Sequence, residues 1–158
     1  MTKANSLPFK PGRIGGLTLR NRIIRSGCFE GMCQDGMITD ALIEHHRRVA
    51  QGGVGMTTVA YCSVSYDGRA FGHEMWMRPE LMPDLKRLTA AVHAEGAAAS
   101  IQIGHCGFFS NPREIGRRPL GASVKFCLFR LSFCEAKNES QIAEKIEDFG
   151  RTAQMVKE

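Results

Sequence analysis

Apolar and polar residues follow two different periods along this chain. Three runs of aliphatic and β-branched residues, at positions 23–28, 54–64 and 97–103, predict buried strands. The run at 54–64 is continuous, which is typical of a strand buried on both faces. A short antiparallel hairpin is predicted before the first strand, with its turn at Gly15 and Gly16.

Helices are predicted between these strands and after the last one. Thr39 offers an N-cap for the first helix, and Gly52 ends it. Pro83 lies in the first turn of the second helix, where proline is tolerated. Asn138 and Gln141 resemble a capping box that opens the third helix. Apolar residues follow in this helix at helical spacing: Ile142, Ile146, Phe149, Ala153 and Val156.

Two segments show no sustained period. Residues 65–79 are polar, contain glycine and predict a loop. Residues 104–138 are rich in glycine, proline, arginine and cysteine, and they predict a long excursion or a small cap. Loops of this length in compact domains are usually functional or disordered.

Alternating strands and helices indicate an α/β fold with a parallel sheet. Two arrangements are compatible with it: an open doubly wound sheet, or a piece of an eight-fold barrel. A dinucleotide-binding glycine motif follows a strand and opens a helix. The glycines at 52–55 instead end a helix and open a strand, so the nucleotide-binding alternative loses its best motif.

Composition narrows the class of protein. At 158 residues, the chain is long enough for one domain with a core. No window approaches the roughly 20 apolar residues that span a bilayer, so no membrane partner is expected. The first residues lack the apolar region of a secretory signal, and the six cysteines are expected to be reduced in a cytoplasmic location. None of the cysteines forms a C-x-x-C pair, so no metal site is expected.

The net charge of +5 and the pI near 9.0 raise the possibility of a nucleic-acid partner. The basic residues are dispersed, however, and their one local concentration is Arg113, Arg117 and Arg118. A solvated surface explains such a pattern. We therefore expect no nucleic-acid partner.

Five motifs occur in the order and spacing of one known family. They are residues 11–24 (PGRIGGLTLRNRII), 52–55 (GGVG), 91–96 (AVHAEG), 101–105 (IQIGH) with Gly107, and 147–150 (EDFG). Together they resemble Old Yellow Enzyme-type NADH:flavin oxidoreductases from about residue 7 to the end. The resemblance implies a partial TIM (β/α)8 barrel of about three βα units, with an N-terminal hairpin and a cap excursion at 104–138, forming one incomplete domain over 1–158.

The resemblance also implies FMN as cofactor, NAD(P)H as reductant and a small-molecule substrate, with hydride transfer to an activated alkene such as an enone or an enoyl thioester. Ser26, Gly27 and Cys28 match the segment that borders the flavin ring. Ala60 matches a small residue against the flavin edge. Gln102 matches the glutamine that hydrogen-bonds the pyrimidine side of the flavin, a role that suits an amide because it both donates and accepts.

Each of these positions also has a structural explanation. Gln102 could satisfy a neighbouring backbone group, and Cys28 could be a small buried apolar residue. His105 is expected at the floor of the substrate pocket or as a hydrogen-bonded structural histidine. Trp76 is expected as a wall of that pocket or as the anchor of its loop.

The departures from the family bear on activity. A complete barrel takes about 250 residues, and the family's substrate-binding and proton-donating residues are expected beyond Glu158. Residues 124–136 (VKFCLFRLSFCEA) resemble the family poorly. We expect an enzyme in truncated form, and the resemblance leaves open whether this chain is active by itself. The alternative is a non-catalytic half-barrel remnant, or a subunit that pairs with a complementary barrel half or with itself.

Overall fold

The computed structural model describes residues 6–157. A 3-10 turn at Leu7–Phe9 comes first, and the predicted hairpin follows it. Strand β1 (Gly12–Ile14) pairs antiparallel with β2 (Leu17–Leu19). Gly15 forms the turn with a φ of +56°, a conformation that glycine adopts without a steric cost. The predicted hairpin is confirmed.

A parallel four-stranded sheet organises the chain. Its members are β3 (Ile24–Arg25), β4 (Met56–Ser63), β5 (Met75–Trp76) and β6 (Ala98–Gly104). Strand β4 is central and pairs with the other three, always in parallel. Strand β6 pairs along one edge of β4. Strands β3 and β5 pair along the other edge, β3 at the start of β4 and β5 at its end. The predicted α/β class with a parallel sheet is confirmed.

Two helices cover one face of this sheet. Helix α1 (Asp40–Gln51) begins at Thr39, whose side chain accepts a hydrogen bond from the Leu42 backbone amide. Helix α2 (Met82–Ala94) has proline in its first turn, as predicted. The core between helices and sheet is apolar and includes Leu42, Val59, Leu85, Leu88 and Val92. A doubly wound sheet has helices on both faces, so consecutive helices on one face favour the barrel arrangement.

Residues 104–138 are organised by short elements. They contain α3 (Pro112–Ile115), β7 (Leu120–Gly121), β8 (Phe126–Cys127), β9 (Ser132–Phe133) and β10 (Glu135–Ala136). Strands β7 and β10 pair in parallel, and β8 and β9 form an antiparallel hairpin. The segment is therefore a folded cap. No helix within residues 6–157 has the length and apolar character needed to cross a membrane.

The first strand and the loop at 65–79 differ from their predictions. The strand predicted at 23–28 is only two residues long, and Ile24 is 44% exposed. After the strand, Arg25 forms an ion pair with Glu30 five residues later, at 2.8 Å. The predicted loop contains β5 and a 3-10 turn at Tyr66–Gly68.

Helix α4 (Glu139–Met155) has the predicted capping box but buries the opposite face from the one its apolar spacing indicates. Its buried residues are Lys145, Asp148 and Thr152, whereas its large apolar side chains Ile142, Ile146, Phe149 and Val156 are exposed.

The polar face of α4 is buried because the Lys145 ammonium finds hydrogen-bond acceptors there. Its ammonium donates to Asp67 at 3.1 Å, to Asp148 at 2.8 Å and to Ser65 at 3.3 Å. Asp67 lies just beyond β4, so this charged cluster fixes the helix against the sheet.

We predict that Lys145→Ala lowers the free energy of unfolding by about 3 kcal/mol, because it leaves two buried carboxylates without their ammonium partner. Urea denaturation of the full chain measures this. Arg48→Ala, which removes an exposed ion pair with Glu44, is the matched control and should leave the midpoint nearly unchanged. Equal effects of the two substitutions would contradict the role given to Lys145.

Candidate functional site

Three small or polar residues meet where parallel strands β3, β4 and β6 lie side by side. Gly27 follows β3, Ala60 lies in β4 and Gln102 lies in β6. A Cβ atom built on Gly27 would lie 2.3 Å from the Gln102 side-chain oxygen and 3.2 Å from the Ala60 Cβ. A side chain at position 27 would displace the Gln102 amide from this place, so glycine leaves an open cradle beneath the amide.

The Gln102 amide is available to a ligand. Its residue is exposed, and no residue in the described part of the chain hydrogen-bonds its side chain. The pairing of β4 with β6 shifts between Val59 and Cys62, which is a bulge beside the cradle. A planar ligand with adjacent carbonyl and N–H groups suits such an amide, which donates and accepts side by side.

A cavity adjoins the cradle and is lined by Tyr61, Glu74, Gln102, Gly104, His105 and Cys106. Burial raises the pKa of the Glu74 carboxyl, although its oxygen accepts a hydrogen bond from the Ala70 amide at 2.7 Å. Burial likewise raises the pKa of the Cys106 thiol to about 11. The thiol is therefore neutral at pH 7, and the cavity wall is without a thiolate nucleophile at Cys106.

A buried carboxylate supports the cradle from the helix side, and sequence reasoning missed it. The Glu30 side chain is 3% exposed and pairs with Arg25 at 2.8 Å and with His46 at 3.5 Å. Its second oxygen accepts the Ala60 backbone amide at 3.3 Å. Burial by itself raises the pKa of Glu30, but the hydrogen bonds and charges of His46 and Arg25 outweigh it, so the pKa is lowered. The one available signal was an acid directly after a predicted strand.

The remaining predicted site residues lie around this centre or apart from it. Ser26 and Cys28 flank Gly27 and are exposed. His105 borders the same cavity as Gln102, and its Nδ1 accepts a hydrogen bond from the Gly107 amide at 2.9 Å. Trp76 lies in a different hollow, beside Asp67 and Lys145.

Trp76 is held there by the loop that follows β3. The Arg78 guanidinium lies 3.5 Å from the Trp76 ring centroid, and a Cβ on Gly36 would lie 2.1 Å from that ring. Among residues 6–157, no group of three or more histidine, cysteine or acidic side chains is arranged to hold a metal ion.

Comparisons with known proteins agree on one lineage. The sequence matches the NADH:flavin oxidoreductase / NADH oxidase family over residues 8–158. The 4,4'-dithiodibutanoate disulfide reductase of Rhodococcus erythropolis is 42% identical over 147 residues, which cover 93% of this chain and 36% of that protein. The chain thus spans little more than a third of the length of this relative.

Solved structures show the same fold. The 2-naphthoyl-CoA reductase complex with 2-naphthoyl-CoA superposes with a TM-score of 0.90 at 26% identity, covering 96% of this chain and 25% of that one. Old Yellow Enzyme from Pichia sp. AKU4542 superposes with a TM-score of 0.87 at 18% identity, covering 96% of this chain and 43% of that one. The second likeness establishes the fold alone.

We predict that Glu30→Gln lowers the free energy of unfolding by about 1–3 kcal/mol, because Arg25 and His46 lose a buried anion. Since the folded pKa of Glu30 lies below its ordinary value of 4.5, its contribution is present above that pH and is lost as the pH falls through the folded pKa. The variant should therefore lose less stability than the parent between neutral and acidic pH. Glu147→Gln, at an exposed position, is the control. Parallel pH profiles for E30Q and the parent would refute this account of Glu30.

Proposed function

The chain belongs to the NADH:flavin oxidoreductase / NADH oxidase family, and we propose that its cradle binds FMN for an NAD(P)H-dependent reductase of the ene-reductase type. Membership confirms the resemblance predicted from the five sequence motifs and places the chain in an oxidoreductase lineage. The single observation that carries the proposal is the free Gln102 amide held over Gly27.

The residues present fit a flavin. The Gln102 amide would hydrogen-bond the pyrimidine edge, since that edge carries neighbouring carbonyl and N–H groups. Gly27 and Ala60 leave room for a flat ring, and Ser26 and Cys28 would border it. Bound FMN supplies hydride transfer, from NAD(P)H and then to the substrate, while the protein contributes binding and orientation.

We propose an activated alkene, such as an enone or an enoyl thioester, as the substrate class. His105 would border it in the cavity that Gln102 shares. Trp76 would contact only a substrate that extends into the neighbouring hollow. A disulfide is the second candidate, because the relative that is 42% identical is named a disulfide reductase.

We further propose that the fold is about three βα units of a (β/α)8 barrel, with residues 104–138 as the cap. Strands β3, β4 and β6 lie side by side in the order in which they occur along the chain, as the parallel strands of such barrels do. The outer edge of β6 has no strand partner among the described residues, and open edges favour association. A complementary barrel half or a second copy is therefore the proposed partner, and a chain that cannot assemble would be non-catalytic.

We predict that FMN quenching titrations of the full chain show saturable binding. Gln102→Leu should weaken it at least about tenfold, the equivalent of one hydrogen bond. Gly27→Ala should weaken it as much, because the new methyl group displaces the Gln102 amide. Gly16→Ala, where a Cβ meets nothing within 4 Å, is the matched control and should bind like the parent.

Anaerobic NAD(P)H oxidation with 2-cyclohexen-1-one and with 4,4'-dithiodibutanoate then separates the substrate classes. Turnover of the enone supports the proposal, and turnover of the disulfide alone supports the second candidate. If the chain binds FMN but catalyses neither reaction, it is a flavin-binding chain that is non-catalytic on its own. Absence of FMN binding in every variant would overturn the proposed cofactor site.

We predict that sedimentation velocity of the full chain shows concentration-dependent association. Burying the exposed face of α4 would drive it, because Ile146 is 68% exposed there. Ile146→Ser should shift the chain toward monomer, and the exposed polar change Gln154→Ser should not. A monomer at all concentrations would rule out self-association through this face.

A further inference from the structure

The hairpin of β8 and β9 ends in an apolar tip, residues 128–131. Leu128 is 77% exposed, Phe129 is 76% exposed and Leu131 is 76% exposed. Phe126 and Phe133 pair across the two strands at their base and are also about half exposed. A tip of this composition costs free energy in water, and such patches mark contact surfaces.

The tip is held in place by its one polar residue. Arg130 donates to the Ala70 carbonyl at 2.7 Å and to the Phe109 carbonyl at 3.3 Å. Its guanidinium also lies over the rings of Phe71 and Phe129, at 5.5 Å and 5.1 Å from their centroids. These contacts hold Arg130 against the rest of the domain, and the neighbouring side chains of Leu128 and Phe129 are exposed to solvent.

The charge of the protein is concentrated in the same segment. Residues 104–138 contain six arginines and lysines but only two acidic residues, a net charge of +4 out of +5 for the chain. Lys125, which directly precedes β8, is exposed and has no ion pair among the described residues; its ammonium lies 6.0 Å from the centroid of the Phe108 ring. Lys125 therefore places a positive charge beside the apolar hairpin.

We propose that this hairpin docks the protein on the surface of an anionic phospholipid bilayer. Leu128, Phe129 and Leu131 would enter the boundary between headgroups and acyl chains, and Lys125 would lie among the phosphates. Apolar burial and attraction to anionic lipids together are the combination that holds proteins at a bilayer surface. This partner differs from the expectation of no membrane contact, which considered only membrane-spanning segments.

Charge argues against a second copy as the occupant of this surface. Two caps with a net charge of +4 each would repel where their tips met. An anionic bilayer offers the opposite charge together with an apolar interior. The proposal requires neither FMN nor catalysis, so it stands or fails separately from the proposed function.

The test is flotation of the full chain with vesicles of phosphatidylcholine alone, or of equal parts of phosphatidylcholine and phosphatidylglycerol. The chain should float with the anionic vesicles, and added salt should reduce this binding. The double variant Leu128→Ser, Phe129→Ser should reduce vesicle binding at least about tenfold, because two apolar side chains no longer leave water. Lys125→Glu should weaken binding to anionic vesicles only.

Leu7→Ser is the control, since it removes a 62% exposed apolar side chain that lies outside both residues 104–138 and α4. It should leave flotation unchanged, and circular dichroism of each variant checks folding. Failure of the parent chain to float with anionic vesicles would overturn the proposal. So would self-association that the Leu128→Ser, Phe129→Ser variant abolishes, since a second copy would then occupy the tip.

Discussion

The arrangement of the later half of the chain depends on the ionic contacts of the buried Asp67 carboxylate. Its carboxylate is buried just after β4 and accepts hydrogen bonds from Ser65 at 2.6 Å and from Lys145 at 3.1 Å; Arg117 forms an ion pair with it at 2.7 Å, and His105 lies 3.7 Å away. These partners come from three segments: the loop after β4, α4, and residues 104–138, which contain both Arg117 and His105. Burial alone raises the pKa of Asp67, but its partners outweigh this and lower it, so the carboxylate is charged at neutral pH. One anion thereby joins three segments.

A second buried carboxylate has the same effect nearer the cradle. Glu30 binds Arg25, His46 and the Ala60 amide, so it couples β3, α1 and β4 on the helix side of the sheet. Through the Ala60 amide, Glu30 contacts the strand residue that lies beside Gly27 and Gln102. The cradle is thus set by backbone positions and a charged cluster beneath it, which gives a flat ligand a preorganised surface.

Local patterns predicted the parts of the fold that depend on neighbouring residues. The caps at Thr39 and Asn138 and the α/β order follow from spacing and capping chemistry, and the structure agrees with them. The buried face of α4 could not be predicted this way, because Lys145 is buried by a partner 78 positions away. The burial of Glu30 could not be predicted either, because the Ala60 amide that donates to it lies 30 positions away. The family resemblance named Gly27, Ala60 and Gln102, but only the fold shows that a Cβ at position 27 would lie 2.3 Å from the Gln102 side-chain oxygen and would have to displace it.

We propose that Gln102, Gly27 and Ala60 form one face of a flavin site. The decisive measurement is a crystal structure of the full chain grown with FMN. We expect the flavin ring against Gly27 and Ala60, with its pyrimidine edge within hydrogen-bonding distance of the Gln102 amide. A flavin bound elsewhere on the chain, or a cradle that stays closed with FMN in excess, would contradict it.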